Sequence, residues 1–316
     1  MALDCRASAT QMLPTSRAVE LDVADAKPRW LVQDLWAESG VGLIGGTPKS
    51  LKTWVGLELA VSVATGTRCF DQYPVGIAGP ALVYLAEDRL CMVRERLDAL
   101  CLRRSVSLDA LDVHVITVPS LRLDRETDLQ RLDVTVAQLA PRFLLLDPFV
   151  RLSRADENNA QEVAAILAAL RDMQRRHDVA VAIAHHTRKN GRAAQHGQTL
   201  RGSGDFHAWS DSALYLVHVK DALRVTVEHR SAPAPSPFRL QLTGQPPKLT
   251  MLPDIVTDIP KPLEERVVRA LQASDSPLRR AALRTSLAVN NNKLGEVLVR
   301  LERSGRIRRM SSGWTL

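Results

Sequence analysis

The stretch Val41-Gly-Leu-Ile-Gly-Gly-Thr-Pro-Lys-Ser-Leu-Lys-Thr53 runs from short apolar residues into a glycine-rich turn, and residues 54–60 continue with helical spacing of apolar side chains. This order of strand, loop and helix is the context that a phosphate-binding loop requires, because glycines let backbone N–H groups close around phosphate oxygens. Lys52 would reach the β- and γ-phosphates of a nucleotide, and the Thr53 hydroxyl would ligate Mg²⁺. The predicted cofactor-binding residues are Gly45, Gly46, Thr47, Pro48, Lys49, Ser50, Leu51, Lys52, Thr53 and Trp54.

Position 51 departs from the usual pattern of such a loop. Leu51 stands where a glycine normally precedes the lysine, and a side chain there crowds the loop and disfavours a positive φ, if the loop needs one. Taken alone, the stretch is also compatible with a glycine-rich turn that binds nothing. The strands that follow bear on this choice.

Two later apolar runs end in acidic residues. The run over residues 81–86 is followed by Glu87, and the run over residues 143–146 ends in Asp147. Unbroken apolar runs are typical of strands buried on both faces of a parallel sheet, so both acids are expected at its C-terminal edge. There Asp147 would orient Mg²⁺ and Glu87 would activate water, because Pro148 occupies the place of the catalytic glutamate of many ATPases. Ordinary strand-end acids are the alternative.

A further buried strand over residues 179–184 leads into His185 and His186. Consecutive strand residues point to opposite faces, which disfavours a shared metal ion, so one polar side chain at the tip of this strand is predicted to sense the γ-phosphate. Polar loops are predicted over residues 151–159 and 188–201. Helical spacing predicts helices over residues 53–65, 89–103, 128–139 and 160–176.

The chain then changes pattern towards antiparallel strands. A helix through Trp209, Asp211 and Leu214 is predicted, followed by strands over residues 213–219, 223–228 and 238–242, with a proline-rich hairpin tip before the last strand. A strand is also predicted earlier, over residues 113–118. Trp30 and Trp36 precede the first long strand and could cover a nucleotide base, although aromatics there more often belong to the core.

Composition describes a globular chain. Of its 316 residues 45% are hydrophobic and 24% charged, four cysteines are widely spaced, and neither a secretory signal nor an apolar run of membrane-spanning length is visible. We therefore expect neither a zinc site nor a disulfide framework, and no membrane partner. We expect a cytoplasmic location. The formal net charge is +7, and residues 262–316 carry eleven basic against five acidic residues. This asymmetry favours nucleic acid as a partner, with a solvated basic face as the alternative.

Residues 262–316 also differ from the rest in pattern. Helices are predicted over residues 263–273, 278–287 and 291–304, and a β-ribbon over residues 307–316, which together make a winged helix-turn-helix. In DNA, the third helix would enter the major groove and the ribbon would meet phosphates, although winged helices also dock proteins. The predicted contacts are Asn291, Asn292, Lys293, Arg308 and Arg309. The predicted organisation is an N-terminal arm (1–27), a nucleotide-binding domain (28–245), a proline-rich linker (246–261) and the winged helix (262–316).

In this order the motifs resemble those of RecA-like ATPases of the RepA type, the plasmid replicative helicases. The resemblance spans about residues 30–242 and is carried by residues 45–53, 84–88, 144–149 and 185–189, with Arg201-Gly-Ser downstream. It implies an α/β fold with a mostly parallel sheet, ATP and Mg²⁺ as cofactors, His186 as the sensor of the γ-phosphate, and a hexameric ring. It also implies that single-stranded DNA contacts the two polar loops, including Arg188, Lys189 and Arg192.

In such rings a neighbouring subunit's arginine reaches the γ-phosphate, and Arg230 matches that role here, with Arg201 in reserve. The basic residue often found two positions before this arginine is Glu228 in this chain. The leading hypothesis is an ATP-driven DNA helicase or translocase in replication of a plasmid or mobile element. The alternative, favoured by Leu51, is a nucleotide-gated DNA-binding or regulatory protein with little ATP turnover.

Overall fold

The computed structural model describes residues 15–20, 29–154, 160–186, 205–253, 263–274, 276–287 and 289–316. The chain divides into two compact units, residues 1–253 and residues 254–316. The predictions for Arg188, Lys189, Arg192 and Arg201, and most of those for the N-terminal arm, lie outside the described residues.

A nine-stranded sheet forms the centre of the first unit. Its order is β11-β10-β9-β8-β3-β7-β6-β4-β5, with six parallel strands from β8 to β5 and an antiparallel extension from β9 to β11. The mostly parallel α/β sheet expected from the sequence is therefore confirmed. The strands are β3 Val41–Gly46, β4 Ala81–Leu85, β5 Val113–Val115, β6 Phe143–Asp147, β7 Ala180–His186, β8 Ser212–Val219, β9 Ala222–His229, β10 Phe238–Thr243 and β11 Lys248–Leu252, and a separate hairpin pairs β1 Trp30–Val32 with β2 Trp36–Ala37.

Helices cover both faces of this sheet, which explains why its central strands are apolar throughout. The helices are α1 Lys52–Thr65, α2 Leu90–Arg103, α3 Glu126–Leu139, α4 Phe149–Leu152, α5 Ala160–His177 and α6 Asp205–Trp209. Alternate residues of β3 separate the two cores: Ile44 joins the core that contains residues of α1 and α2, and Leu43 joins the core that contains residues of α3 and α5.

Gly56 allows α1 to lie close against the sheet. A Cβ at this position would approach Leu145 Cδ2 of β6 to 2.7 Å. A glycine inside a helix costs about 1 kcal/mol relative to alanine, so its presence here reflects this close contact. The helix that follows the phosphate loop is thereby fixed against the strand that ends in Asp147.

Several predicted elements differ from the structure. Residues 248–252 of the predicted linker form β11, which pairs antiparallel with β10. The helix predicted through Asp211 and Leu214 ends at Trp209, because the Asp211 carboxylate accepts the Val41 N–H and Leu214 is a buried residue of β8. Residues 151 and 152, predicted in a polar loop, belong to α4, because Leu152 is buried in the core.

The predicted strand 113–118 is shorter, ending at Val115, although the Ile116 N–H still donates to the Val83 carbonyl oxygen at 2.9 Å. Trp36 is fully buried, as a core tryptophan. Within the described part of the chain, no helix is both long enough and apolar enough to cross a membrane.

The second unit contains three helices and a ribbon. The helices are α7 Leu263–Gln272, α8 Arg280–Leu287 and α9 Asn291–Arg303, and the ribbon pairs β12 Arg308–Met310 with β13 Gly313–Thr315. Leu278 adds two backbone hydrogen bonds to Trp314, each 2.9 Å long. A separate core joins these elements, made by Val267, Leu271, Leu283, Leu294, Val297, Leu298, Leu301, Ile307 and Trp314.

Candidate active site

The parallel strands bring the predicted site residues to one edge of the sheet. Gly46, the last residue of β3, pairs with His186 of β7, and Asp147 of β6 pairs with Leu85 of β4. The Ala86 N–H donates to the Asp147 carbonyl oxygen at 2.8 Å. Because the strands run in the same direction, the phosphate loop and the ends of β4, β6 and β7 lie side by side.

Lys52 lies at the centre of this edge and is only 7% exposed. Its ammonium group donates to the carbonyl oxygens of Gly46 at 3.2 Å and Thr47 at 3.0 Å, and its Nζ lies 3.3 Å from His186 Nδ1. Burial lowers the pKa of Lys52 from its ordinary value, while the negative charges of Asp147 and Glu87 act to raise it. The structure therefore brings the predicted lysine and the predicted sensor histidine into direct contact.

The first turn of α1 offers backbone donors. Its N-cap residue, Leu51, makes no capping side-chain hydrogen bond, and the Val55 N–H donates to the Leu51 carbonyl oxygen at 3.0 Å. The N–H groups of Lys52, Thr53 and Trp54 precede that first helical bond, so they are available to an anion. Together with the positive end of the helix dipole, they form an anion-binding site of the phosphate-loop type.

Leu51 adopts the left-handed conformation that its identity disfavours. Its φ is 60° and its ψ is 23°, and Lys49 has a φ of 66°. The loop therefore needs the positive φ that glycine normally supplies, and for a leucine this costs about 1–2 kcal/mol. The side chain is half-buried and packs against the hydrophobic core beneath α1, which offsets part of that cost.

The loop is also close-packed around Gly46. A Cβ on Gly46 would lie 2.3 Å from the Ser50 Oγ, which is buried and has no hydrogen-bond partner among the described residues. His218 of β8 donates from Nε2 to the Lys49 carbonyl oxygen at 3.1 Å. Glycine at position 46 is therefore required, and the tip of the loop is tied to a neighbouring strand.

Asp147 fits the role of a metal-orienting carboxylate. It is 6% exposed, and burial raises its pKa to about 6, with Asp88 and Glu87 adding to the rise and the Thr53 hydroxyl and Lys52 opposing it. Its Oδ2 atom is buried without a hydrogen-bond partner among the described residues. Mg²⁺ is commonly held by one or two carboxylates together with water and substrate phosphates, so Asp147 and Thr53 fit this ion without a larger acidic cluster.

Glu87 lies at the same edge but is engaged by another residue. Its carboxylate accepts a hydrogen bond from Arg151 Nε of α4 at 2.8 Å, and both side chains are at least half exposed. Its charge acts on both Lys52 and Asp147, so the carboxylate is close to the centre of the site. Arg151 was not predicted as its partner, since only the short helix after Asp147 turns it towards β4.

Two predicted residues face elsewhere. Trp54 packs against the core beneath α1, with the Arg96 guanidinium 5.7 Å from its ring centre, so only its backbone belongs to the loop. Arg230 follows β9 at the opposite edge of the sheet, where Ser212 of β8 pairs with His229. Arg230 contacts the Ala208 carbonyl oxygen and lies 3.6 Å from Asp211, so the structure does not bring it to its own phosphate loop.

The predicted DNA contacts of the second unit are mainly exposed. Asn291 and Lys293 are exposed in the first turn of α9, and Arg308 and Arg309 are exposed on β12. The Arg309 guanidinium lies 5.7 Å from the Trp314 ring centre. Asn292 belongs to α9, and its side chain lies outside the described residues.

Comparison with known proteins adds to this geometry. The family model of the AAA domain, AAA_25, matches residues 7–192, which is more than half of the chain. The chain belongs to this family. The structure of this chain is similar to the solved ATPase domain of G40P, with a TM-score of 0.51 and 15% sequence identity. The match covers 68% of this chain and 86% of the G40P domain. No curated protein matches the chain. The predicted RecA-like P-loop ATPase fold is thereby confirmed.

Proposed function

We propose that this AAA_25 chain is an ATP-driven DNA motor, a ring-forming helicase or translocase of the RepA kind. The observation that carries the proposal is the meeting of Lys52, Asp147, Glu87 and His186 at one sheet edge, beside free backbone donors. This set provides a cation that binds the phosphates, a carboxylate that orients the metal ion, a general base and a γ-phosphate sensor. These are the groups that ATP hydrolysis requires.

In this proposal each residue of the edge has one task. Lys52 exchanges the carbonyl oxygens of Gly46 and Thr47 for phosphate oxygens, and Thr53 and Asp147 hold Mg²⁺, which neutralises the phosphates. Glu87 accepts a proton from the attacking water while the bond from the γ-phosphorus to the bridging oxygen breaks and its electron pair stays on ADP. His186, in contact with Lys52, responds to the loss of the γ-phosphate.

Arg230 is proposed to act on a neighbouring copy, with Arg201 in reserve. Its position at the opposite edge of the sheet from its own phosphate loop supports a role in trans. The ring is proposed to be a hexamer, with single-stranded DNA bound at the loops around Arg188, Lys189 and Arg192. Support for these assignments comes from the resemblance to plasmid replicative helicases, which also favours a role in replication of a plasmid or mobile element.

The second unit is proposed to be a winged helix that holds duplex DNA. Its three helices, its ribbon and its exposed Asn291, Lys293, Arg308 and Arg309 support this interpretation. Basic groups on the ribbon would meet phosphates, and the start of α9 would meet base edges. The proposed organisation is an ATPase unit that ends at Pro253, after β11, followed by a connecting segment and the winged helix.

A second candidate function is a nucleotide-gated DNA-binding protein with little turnover. The ion pair between Glu87 and Arg151 favours it, because this pair must open before Glu87 can accept a proton from water. The strained conformation of Leu51 in the loop favours it as well.

Steady-state ATP hydrolysis with and without single-stranded DNA distinguishes these functions. We expect DNA-stimulated turnover in the wild type, none in Lys52→Ala, and a nucleotide-dependent increase of molecular mass in solution. Tight ATP binding and DNA-dependent assembly without turnover would select the second candidate. ATP binding by Lys52→Ala at wild-type affinity would refute the phosphate-loop assignment itself.

A further inference from the structure

A cavity of about 500 Å³ opens at the edge of the sheet where β3 begins, and its volume is in the range typical of ligand pockets. We call it the strand-start cavity. The charged residues that line it are Arg29, Glu38, Arg171, Arg175, Asp211 and Arg230. Trp30 and His229 also line it, with their ring centres 4.7 Å apart.

This cavity and the phosphate loop lie at opposite ends of one strand. The Val41 N–H, at the start of β3, donates to the Asp211 carboxylate at 3.1 Å, whereas Gly46 at the other end leads into the phosphate loop. Gly46 lies five residues after Val41, and a rise of about 3.3 Å per residue places the two ends of the strand roughly 16 Å apart. The strand-start cavity therefore cannot contact the nucleotide held by its own chain.

The cavity carries excess positive charge. Its four guanidinium groups face two carboxylates, which leaves a net charge of +2. Burial lowers the pKa of the lining His229, so its ring adds no charge at neutral pH. A compact anion is the ligand class that this charge favours.

Three of the four arginines are already engaged. Arg29 binds Glu38 at 2.6 Å, and Arg171 and Arg230 share the Asp211 carboxylate. Arg175 is different: it is exposed on α5, and its side chain makes no hydrogen bond or ion pair with any residue that the structure describes. Its guanidinium can bind an anion without first breaking an internal pair.

We infer that the strand-start cavity receives the triphosphate held by the phosphate loop of a neighbouring copy, and that Arg175 contacts it beside Arg230. The inference rests on the proposed ring ATPase and adds a residue to its site. During transfer of the γ-phosphoryl group, charge is spread over three equatorial oxygens, which one arginine already paired with Asp211 neutralises only in part. A planar guanidinium binds two phosphate oxygens at once, so Arg175 supplies the missing positive charge.

Arg175→Ala tests this assignment, and Arg176→Ala is its matched control. Arg176 is the next residue of α5, but it pairs with Asp133 at 2.9 Å and does not line the cavity. Arg175→Ala should bind ATP·Mg²⁺ with wild-type affinity, because its own phosphate loop is intact. Its turnover should fall by about tenfold or more, a fraction of the effect that a trans-acting arginine can have. Arg176→Ala should retain wild-type turnover.

Two further measurements separate a role in trans from other roles. Self-association in ADP with aluminium fluoride, followed by sedimentation velocity, should weaken in Arg175→Ala and not in Arg176→Ala. Mixing Arg175→Ala with Lys52→Ala should restore part of the turnover, since some mixed interfaces join an intact Lys52 site to an intact Arg175.

The opposite results overturn the inference in distinct ways. If Arg175→Ala matched Arg176→Ala in both turnover and assembly, Arg175 would have no part in the site. Loss of ATP affinity, or lack of rescue on mixing, would place its effect within its own chain. A selective loss of single-stranded DNA affinity would make the cavity a nucleic-acid site. A wild type that neither hydrolyses ATP nor assembles with nucleotide would refute the proposed function, and this inference with it.

Discussion

Replacing Leu51 by glycine or by alanine separates backbone strain from packing in the phosphate loop. Leu51 has a φ of 60°, a conformation that costs a residue with a Cβ about 1–2 kcal/mol and costs glycine almost nothing. Alanine keeps the Cβ and therefore the strain, whereas glycine removes it. Against this gain, glycine makes the unfolded chain more flexible, which costs about 0.4–1 kcal/mol.

Packing acts on both variants in the same direction. The Leu51 side chain is half-buried against the core beneath α1. Truncating a fully buried leucine to alanine lowers the free energy of unfolding by about 2–5 kcal/mol. A half-buried side chain should lose roughly half of this, about 1–2 kcal/mol. Leu51→Ala should therefore be the least stable protein, and Leu51→Gly should lie between it and the wild type or equal the wild type.

Thermal unfolding followed by tryptophan fluorescence measures this order, because Trp30, Trp36, Trp54 and Trp209 all belong to the first unit. For a unit of this size, 1 kcal/mol corresponds to about 2–4 °C in Tm. We expect the Tm of Leu51→Ala to lie that far below the Tm of Leu51→Gly, and ATP·Mg²⁺ affinity to follow the same order. An alanine variant as stable as the glycine variant would show that position 51 is not left-handed in solution.

Three further predictions concern other parts of the molecule. Glu87→Gln should keep ATP and DNA binding and lose about 10²-fold or more in turnover, and wild-type turnover would move the base elsewhere. Removing residues 262–316 should leave the ATPase unit assembled but weaken its binding to duplex DNA and reduce the salt dependence of that binding, because eleven basic residues are lost. An unchanged slope of log affinity against log salt concentration would instead favour a protein-docking role for these residues. Burial lowers the pKa of His229 in the folded protein below its unfolded-state value of about 6.5. The stabilisation that the neutral ring provides is therefore fully present above about pH 6.5, and it is lost as the pH falls from there through the lower folded-state pKa. The Tm of the wild type should therefore decrease across this interval, and the Tm of His229→Gln should decrease less; parallel pH profiles would contradict this.

The sequence predicts best what local order determines. Lys52 and Asp147 were placed at one edge because a strand, a loop and a helix follow each other directly, and because an unbroken apolar strand ends in the acid. The contact between Lys52 and His186 follows from the parallel pairing of β3 with β7. A positive φ at position 51 also follows from the loop pattern, although the leucine there conceals it.

What the sequence did not predict depends on distant pairing. β11 was hidden because two prolines precede it and its partner strand decides whether the segment is extended. Asp211 was assigned to a helix from its spacing after Trp209, whereas its carboxylate is held by Val41 and Arg171. The strand-start cavity joins residues 29 to 232, so no short motif encodes it.

Asp211 links the start of β3 to Arg230. Its carboxylate holds the first N–H of the strand and also lies against Arg230, while the last residue of the strand pairs with His186 and leads to Lys52. In the proposed ring, a displacement of the phosphate loop on product release would be transmitted through β3 to Asp211 and would shift Arg230, the arginine proposed to serve the next subunit. Successive subunits would then hydrolyse ATP in order around the ring, each timed by the one before it.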